Sequence, residues 1–529
     1  MKHIFIYGPP GSGKSAVGKI LADRLEIPFL DLDVEIERLA GQTIPQIMSE
    51  QGEPIFRDLE TTALEKAASG AASVIALGGG ALLRDSNRAC AETAGEVVLL
   101  EADLPTLLER LKSEAGQRPL LAGNMEEKLA SLMARRQAHY ESFSLRVANI
   151  SNSLNTVSCE IQQKLGAFRV RGMSAGYDVV VQSGGLDGLG EMLKERSLGR
   201  PVALVSDSNV APLYGEQVLK SVRKAGYEAH LLTIPAGEHN KTFETVVSLW
   251  HGFLEAGLDR KSTVVALGGG VTGDLAGFAA SAFMRGVAWV GVPTSLLAMA
   301  DSSLGGKTGF DLPEGKNLVG AFHSPSLVLA DPDVLQTLPE VEFRSGMAEV
   351  VKYGIISDPA LFALCAAGYE AVKNDLTNVV QHAMAVKIRV VETDPFERGL
   401  RAALNLGHTV GHALELVSGF RLRHGEAIAI GMVAEARLAK RLGLAGDGLS
   451  DQIAETLRGL NLPVEIPPDL PREDVLKAMR VDKKKALGIV RFALPVVIGE
   501  VRTGVEVEDL NLVFAESRAG FQPAARYGG

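Results

Sequence analysis

His3-Ile-Phe-Ile-Tyr-Gly8-Pro-Pro-Gly-Ser-Gly-Lys14-Ser15 decides the fold of the first third of this 529-residue chain. Residues 3–7 form an apolar run of strand length, and Ser15–Leu25 puts Val17, Ile20, Leu21 and Leu25 on one helical face. Between them, Gly8-x4-Gly13-Lys14-Ser15 fits a phosphate-binding loop, whose glycines let backbone N–H groups close on phosphate at a helix N-terminus. Gly11, Ser12, Gly13 and Ala16 would supply backbone contacts. Lys14 can reach a transferred phosphate, and the Ser15 hydroxyl can ligate magnesium. Working outward, strand patterns at Pro28–Leu32, Ser73–Leu77 and Glu96–Glu101 alternate with helical segments, the last being Ser158–Leu165. Alternation of this kind implies a parallel sheet with helices on both faces.

The chain is too long for one core, so two or three domains are expected. Hydrophobic residues make up 46% and charged residues 22%, ordinary globular values. A net charge of −10 argues against nucleic acid as a partner, because phosphate neutralisation needs basic surface. Cys90, Cys159 and Cys365 are far apart, without metal-ligand spacing, which suits a reducing compartment. The stretch Val287–Ala300 is interrupted by Pro293 and is too short to span a bilayer. A cytoplasmic, soluble protein without membrane contact is expected.

The first domain is expected over 1–165. Residues 166–177 are Gly-rich without a period and read as a linker. A second domain, 178–510, opens with strand patterns at Asp178–Gln182, Val202–Ser206, His230–Ile234 and Thr263–Leu267, giving an α/β part to about residue 340. A mainly helical part comes next over about 341–510, and 511–529 reads as a terminal segment and loose tail.

Ala-Leu-Gly-Gly-Gly occurs twice, at Ala76–Gly80 and Ala266–Gly270. The neighbours differ. Near the first copy, Asp31-Leu-Asp33 ends a strand, and strand alternation would point both carboxylates to one side, where one can order a metal and the other can hold an acceptor hydroxyl. Alone, such a pair is more often a helix cap. Arg57, Arg136 and Arg118, the last in the lid-like stretch Gly-Gln-Arg118-Pro-Leu-Leu, complete the set. The order of P-loop, Asp-x-Asp, Phe-Arg57-x-x-Glu, Gly-Gly-Gly, Arg-Pro-Leu and Arg136-x3-Tyr resembles shikimate kinase over residues 1–165. The resemblance implies that Asp33, Arg57, Gly79 and Arg136 bind shikimate, with the arginines clamping its carboxylate and Arg118 closing over ATP. Lys14, Asp33 and Arg118 would be catalytic. A planar guanidinium suits bidentate carboxylate binding.

Around the second copy, Thr263–Gly277 reads as strand, glycine turn and helix, suited to a pyrophosphate but without Rossmann spacing. Supporting it are Ala236-Gly237-Glu238-His-Asn-Lys241 and Pro293-Thr294-Ser295. His408-Thr-Val-Gly-His412 places two imidazoles one helical turn apart, yet Thr409 stands where a zinc peptidase needs glutamate, which disfavours a peptidase. His408, His412 and His424 follow Glu349 of Ala-Glu349-Val-Val-Lys352, and one carboxylate with two imidazoles would make a catalytic zinc site with an open position. Cations recur at Arg285, Lys307, Lys316, Lys352, Lys387, Arg401 and Lys483-Lys484-Lys485, several within apolar or Gly-rich stretches. A substrate bearing carboxylate and phosphate would need them.

Gly-Gly-Gly-x-x-Gly-Asp, Asp301-Ser-Ser-x-Gly-Gly-Lys307-Thr, Gly-Lys316-Asn317, Ala-Glu349-Val-Val-Lys352-Tyr-Gly, Arg401-x3-Asn405-Leu-Gly-His408-x3-His412 and His424-Gly-Glu-Ala together resemble 3-dehydroquinate synthase across about 178–510. Ala236 and Ser295 depart from the Asp and Thr common there. The resemblance implies metal ligands Glu349, His408 and His424, the metal being zinc or cobalt. It implies NAD contacts from Ala236, Gly237, Glu238, Lys241, Gly270, Val271, Thr272, Gly273, Asp274, Thr294, Ser295, Asp301, Lys307 and Lys316. Substrate contacts would come from Arg285, Lys307, Asn317, Lys352, Lys387, Arg401, Asn405, His412 and Lys484, with His412, Lys307 and Lys352 catalytic, and a homodimer through this region is compatible with it. Two enzymes of aromatic amino-acid precursor synthesis on one chain are therefore expected. The rival readings are an ATP-sensing module in front of another sugar-phosphate cyclase, or in front of a polyol dehydrogenase. A sensor needs no acceptor clamp such as Asp33, Arg57 and Arg136.

Overall fold

β1 (His3–Tyr7) is buried along its whole length, so it needs apolar side chains on both faces. Ile4 and Ile6 point to one face and meet Val17, Leu21, Val157 and Ile161 from the helices Lys14–Leu25 and Leu154–Leu165. Phe5 and Tyr7 point to the other, against Leu32, Ile36, Phe56 and Tyr140. The computed structural model describes residues 2–112, 125–150, 152–172, 176–394, 400–481 and 490–514. It separates into a unit Met1–Arg169 and a unit Val170–Gly529.

In the first unit β1 is joined by β2 (Phe29–Asp31), β3 (Val74–Ala76), β4 (Gly95–Glu101) and β5 (Arg146–Ala148) in the order β2-β3-β1-β4-β5, every neighbouring pair parallel. The P-loop leaves the C-terminal end of β1 with Gly8, Gly11 and Gly13 at φ of 144°, 79° and 87°. Only glycine takes these angles at little cost. Gly13 then caps the helix Lys14–Leu25. The final helix begins at Leu154, four residues before the expected start, because Ser153 accepts from the Thr156 N–H.

One expectation fails here. β2 stops at Asp31, whose side chain accepts the Asp33 N–H at 3.1 Å and caps the helix Leu32–Ala40. Asp33 is therefore helical, and strand alternation does not place it.

β6 (Ala167–Val170) runs across the boundary between the units, and the second unit continues with β7 (Tyr177–Val181), β8 (Val202–Asp207), β9 (Ala229–Ile234), β10 (Thr263–Gly268) and β11 (Ala288–Pro293). An antiparallel hairpin, β12 (Lys307–Leu312) and β13 (Gly315–Phe322), is inserted before β14 (Leu327–Ala330). All but the hairpin form a seven-stranded sheet in the order β6-β7-β14-β11-β10-β8-β9, with parallel pairing from β7 through β9. The stretch 166–177 is thus not a plain linker: alternation buries Phe168 and Val170 and makes β6. From Glu340 helices dominate, up to the hairpin β15 (Val490–Val497) and β16 (Glu500–Val507). Helices His408–Val417 and His424–Arg441 share a core with that hairpin. Among the described residues no helix is long and apolar enough to cross a membrane.

Candidate active sites

In the first unit the P-loop lysine folds inward. Lys14 Nζ donates to Gly8 O at 3.0 Å and Pro9 O at 2.9 Å, while Ser15 Oγ donates to Asp31 Oδ2 at 2.6 Å. Capping residue and metal-ordering candidate are thus the same side chain, Asp31. Buried Asn149 holds the loop from behind by donating to Ser12 O at 2.9 Å.

The Gly78–Gly80 turn faces a ring of charged groups. A Cβ on Gly78 would lie 3.1 Å from both Asp33 Oδ1 and Glu60 Oε1, and one on Gly80 would lie 2.9 Å from Arg57 Nη2. A Cβ on Gly79 would lie 3.2 Å from Pro10, so this turn also borders the P-loop. Arg136 Nη1 donates to Gly79 O at 2.6 Å, joined there by the hydroxyls of Tyr140 at 3.1 Å and Tyr7 at 3.4 Å. Asp33, Arg57, Gly79 and Arg136 therefore converge despite the helical placement of Asp33. Arg118 lies outside the described residues.

Glu60 closes the motif Phe-Arg57-x-x-Glu and pairs with the arginine of that motif. It sits 1% exposed, 2.8 Å from Arg57 Nη1, and burial pushes its carboxyl up while Arg57 pulls it down. The motif marks Glu60 and its three-residue spacing from Arg57 hints at the pairing, but its burial is not legible in the sequence. Burial also raises the Tyr7 hydroxyl, which pairs with His139 Nε2 at 3.2 Å.

In the second unit β10 ends in Gly268, and Gly269 caps the helix Gly270–Ala282, so the N–H groups of Gly270, Val271, Thr272 and Gly273 lie in its first turn. The turn is tight. A Cβ on Gly268 would come within 2.5 Å of Thr272 Oγ1, and one on Gly270 within 3.0 Å of Ser302 Oγ. Thr294 N–H donates to Gly268 O at 2.9 Å, and Ser295 Oγ accepts from the Ala298 N–H at 3.2 Å. A cavity beside the turn is lined by Gly268, Gly270, Asp274, Ser302, Ser303 and Lys307.

Lys241 is 4% exposed and reaches Asp274 Oδ2 and Asn317 Oδ1, both at 2.6 Å. Burial pushes the Asp274 carboxyl up to about 6, with Lys241 opposing. Upstream, Ala236 N–H donates to Ser208 Oγ, Gly237 takes φ of 104°, and Glu238 pairs with Lys316 at 3.4 Å.

The helix Glu340–Ser357 is buried over most of its length and carries Glu349, Lys352 and Tyr353 inward. Glu349 Oε1 lies 3.5 Å from His408 Nε2 and 3.4 Å from His424 Nε2, while Lys352 Nζ contacts Oε2. Each imidazole is oriented through its other nitrogen, His408 Nδ1 against Leu406 O and His424 Nδ1 against Glu415 Oε2, both at 3.1 Å. Burial and Lys352 push the His408 imidazole down to about 3. Burial lowers His424 too, but its hydrogen bonds to the accepting carboxylates of Glu349 and Glu415 outweigh it and raise the ring to about 9. Burial alone would raise Glu349; Lys352 and the imidazoles reverse this and hold it well below the usual carboxylate range.

The three ligand atoms lie within 4.8 Å of one another, one buried carboxylate oxygen and two imidazole nitrogens turned inward, which fits a divalent metal. His412, Glu415 and His424 satisfy the same distance limit, but His412 is exposed and Glu415 already orients His424 through Nδ1.

Three placements are not legible in the sequence. Asp301, grouped with the nucleotide residues, is bound by Lys387 Nζ at 2.5 Å and Tyr353 OH at 2.8 Å. Burial would raise Asp301; Lys387 and Lys352 drive it far below its ordinary range. Asn317, expected on substrate, meets Lys241. Arg285, expected on substrate, lies exposed beyond the C-terminal end of Gly270–Ala282 with φ of 71°, about 20 Å of helix away from the glycine turn at the other end. Arg401 is buried, its guanidinium 3.2 Å from where a Cβ on Gly305 would sit, and Asn405 is exposed one turn before His408. Lys484, with Lys483 and Lys485, lies outside the described residues.

Residues 10–166 match the shikimate kinase family model, residues 231–345 the 3-dehydroquinate synthase N-terminal model, and residues 346–485 the 3-dehydroquinate synthase C-terminal model. The chain is 46% identical over 340 residues to the 3-dehydroquinate synthase of a Synechocystis species, covering 63% of this chain and 94% of that one. It is 47% identical over 334 residues to the synthase of Symbiobacterium thermophilum, covering 61% and 92%. Among solved structures, a 2-deoxy-scyllo-inosose synthase complexed with carbaglucose-6-phosphate, NAD+ and Co2+ aligns with TM-score 0.59 at 27% identity, covering 64% of this chain and 96% of that one. The 2-epi-5-epi-valiolone synthase of Streptomyces hygroscopicus with NAD+ and Zn2+ bound gives 0.57 at 30%, covering 66% and 97%.

Proposed function

We propose residue roles for a chain that belongs to the 3-dehydroquinate synthase family, with a shikimate kinase region ahead of it. The chain is a bifunctional shikimate-pathway enzyme, a kinase and a lyase. The first reaction is the ATP-dependent phosphorylation of shikimate to shikimate 3-phosphate. The second converts 3-deoxy-D-arabino-heptulosonate 7-phosphate to 3-dehydroquinate and phosphate.

For the kinase, the P-loop N–H groups and Lys14 hold the ATP phosphates, and Ser15 with Asp31 orders magnesium. Arg57 and Arg136 clamp the shikimate carboxylate, Asp33 receives the acceptor hydroxyl proton, and Arg118 closes the site. Glu60 holds Arg57 in its pose.

For the synthase, the first turn of Gly270–Ala282 receives the NAD pyrophosphate, and Lys241 with Asp274 fixes the flanking contacts. Glu349, His408 and His424 hold the metal, zinc or cobalt. When bound, NAD accepts and returns a hydride, and the metal polarises the reacting alcohol. Lys387, Lys352 and Arg401, with His412, face the carboxylate and phosphate of the substrate. Asp301 keeps Lys387 charged in a buried setting that otherwise pushes its ammonium down. The Glu349–His408–His424 cluster carries this reading: it supplies the open metal site that a cyclase needs. Soluble, cytoplasmic enzyme action and a homodimer through the synthase region belong to the same proposal.

The test is to assay purified protein for ATP-dependent phosphorylation of shikimate and for phosphate release from 3-deoxy-D-arabino-heptulosonate 7-phosphate. Both activities are expected, the second without net NADH. Accumulating NADH without phosphate release would identify a dehydrogenase instead.

A further inference from the structure

The helix His408–Val417 begins at Gly407, φ 79°, and no side chain of its own caps it. Its first-turn N–H groups need an acceptor from elsewhere. Glu435, on the helix His424–Arg441 and 0% exposed, provides one. Its Oε2 accepts the Gly407 N–H at 2.6 Å, and its Oε1 accepts the Val410 N–H at 3.3 Å. The two donors bracket His408. A negative carboxylate at a helix N-terminus is favourable, and burying it is tolerable because it is hydrogen-bonded.

Contact between the two segments is close enough to make this placement rigid. A Cβ on Gly431, one turn before Glu435, would lie 2.0 Å from Gly407 O, and one on Gly411 would lie 3.0 Å from Ala427 O. We propose that Glu435 is a positioning residue for the metal site: it locks the backbone on both sides of His408 to the helix that begins with His424. Leu406 O fixes the ring through Nδ1, and Glu435 fixes the chain that carries the ring. Glu435 touches neither metal nor substrate, and its role rests on the ligand set proposed above.

Glu435→Gln keeps the volume but turns an amide N–H toward one of the two backbone donors. The measurement is zinc affinity of the purified full chain by competition with a chromophoric chelator, alongside thermal unfolding and kinase activity. Glu435→Gln is expected to bind zinc about 10–100-fold more weakly, the scale for groups that orient ligands, with unchanged kinase activity. Glu435→Asp, too short to reach both donors, should fall in the same direction. Leu438→Ala, buried on the same helix, should lower the unfolding temperature but keep wild-type zinc affinity. Wild-type affinity in both Glu435 variants, or an equal loss in Leu438→Ala, would overturn the proposal. His408→Ala is measured in parallel. If it loses zinc while Glu435→Gln keeps it, only the role of Glu435 falls; if His408→Ala keeps zinc, the ligand set falls with it.

Discussion

The same five residues, Ala-Leu-Gly-Gly-Gly, close β3 in one unit and finish β10 in the other, and the two turns present opposite polarity. After β3 the chain enters a short 3-10 turn, Ala81–Leu83, and the turn offers a carbonyl: Gly79 O collects Arg136, Tyr140 and Tyr7. After β10 the glycines open a 13-residue helix, and the turn offers N–H groups. Glycine permits both, since it only removes the Cβ that would strike Arg57 in one case and Thr272 in the other. The element built after the glycines decides whether the turn organises cations for an acceptor or receives a phosphate directly.

Removing a metal ligand should separate the units most sharply. Glu349→Ala or His408→Ala should lose bound metal and lower synthase turnover by about a thousandfold or more, the scale of several kcal/mol of Lewis-acid stabilisation, while kinase rates hold. His412→Ala should keep its metal, with reduced turnover. Elemental analysis reads both, and metal loss in His412→Ala equal to that in His408→Ala would mean that the ligand set Glu349, His408 and His424 is wrongly assigned.

A smaller effect is expected at the carbonyl-presenting turn. Arg57→Lys keeps the charge but loses the planar fork, so KM for shikimate should rise about tenfold or more with synthase activity unaffected. Unchanged shikimate affinity by titration would reduce Arg57 to a partner of Glu53 and Glu60.

At the N–H-presenting turn the smallest effect is a pH dependence. Asp274, pushed up to about 6, takes up its proton more readily in the folded chain than its ordinary carboxylate value allows. The group therefore favours the fold at low pH, and its ionisation costs stability as pH rises through about 6. The ion pair with Lys241 forms only over that upper range. NAD affinity should accordingly fall as pH drops below about 6, and Asp274→Asn should flatten the profile between about pH 5 and 7. A profile identical to wild type would place the titration elsewhere.

The sequence made legible the features that are continuous along the chain. The P-loop, both glycine turns and the His408–His412 spacing are local patterns, and β1, β3, β4 and β10 are apolar runs bounded by glycine. It failed where a tertiary partner sets the outcome. Asp31 captured the Asp33 N–H and ended β2, so a helix replaced two expected strand residues. Asp301 pairs with Lys387, a contact 86 positions along the chain that no local pattern encodes. Glu415 and Glu435 look like surface glutamates on helices; each acts through a contact that spacing does not encode. The strand β6 was hidden because four alternating residues in a Gly-rich stretch carry too little period.

The central claim is that each unit carries a chemically complete site. Lys14→Ala in the full chain tests it most directly, with shikimate phosphorylation and phosphate release from 3-deoxy-D-arabino-heptulosonate 7-phosphate measured on the same preparation. Phosphorylation should fall by about a thousandfold, as expected when the cation on the transferred phosphate is removed, while phosphate release stays close to wild type. Equal loss of both activities in the folded variant would contradict it.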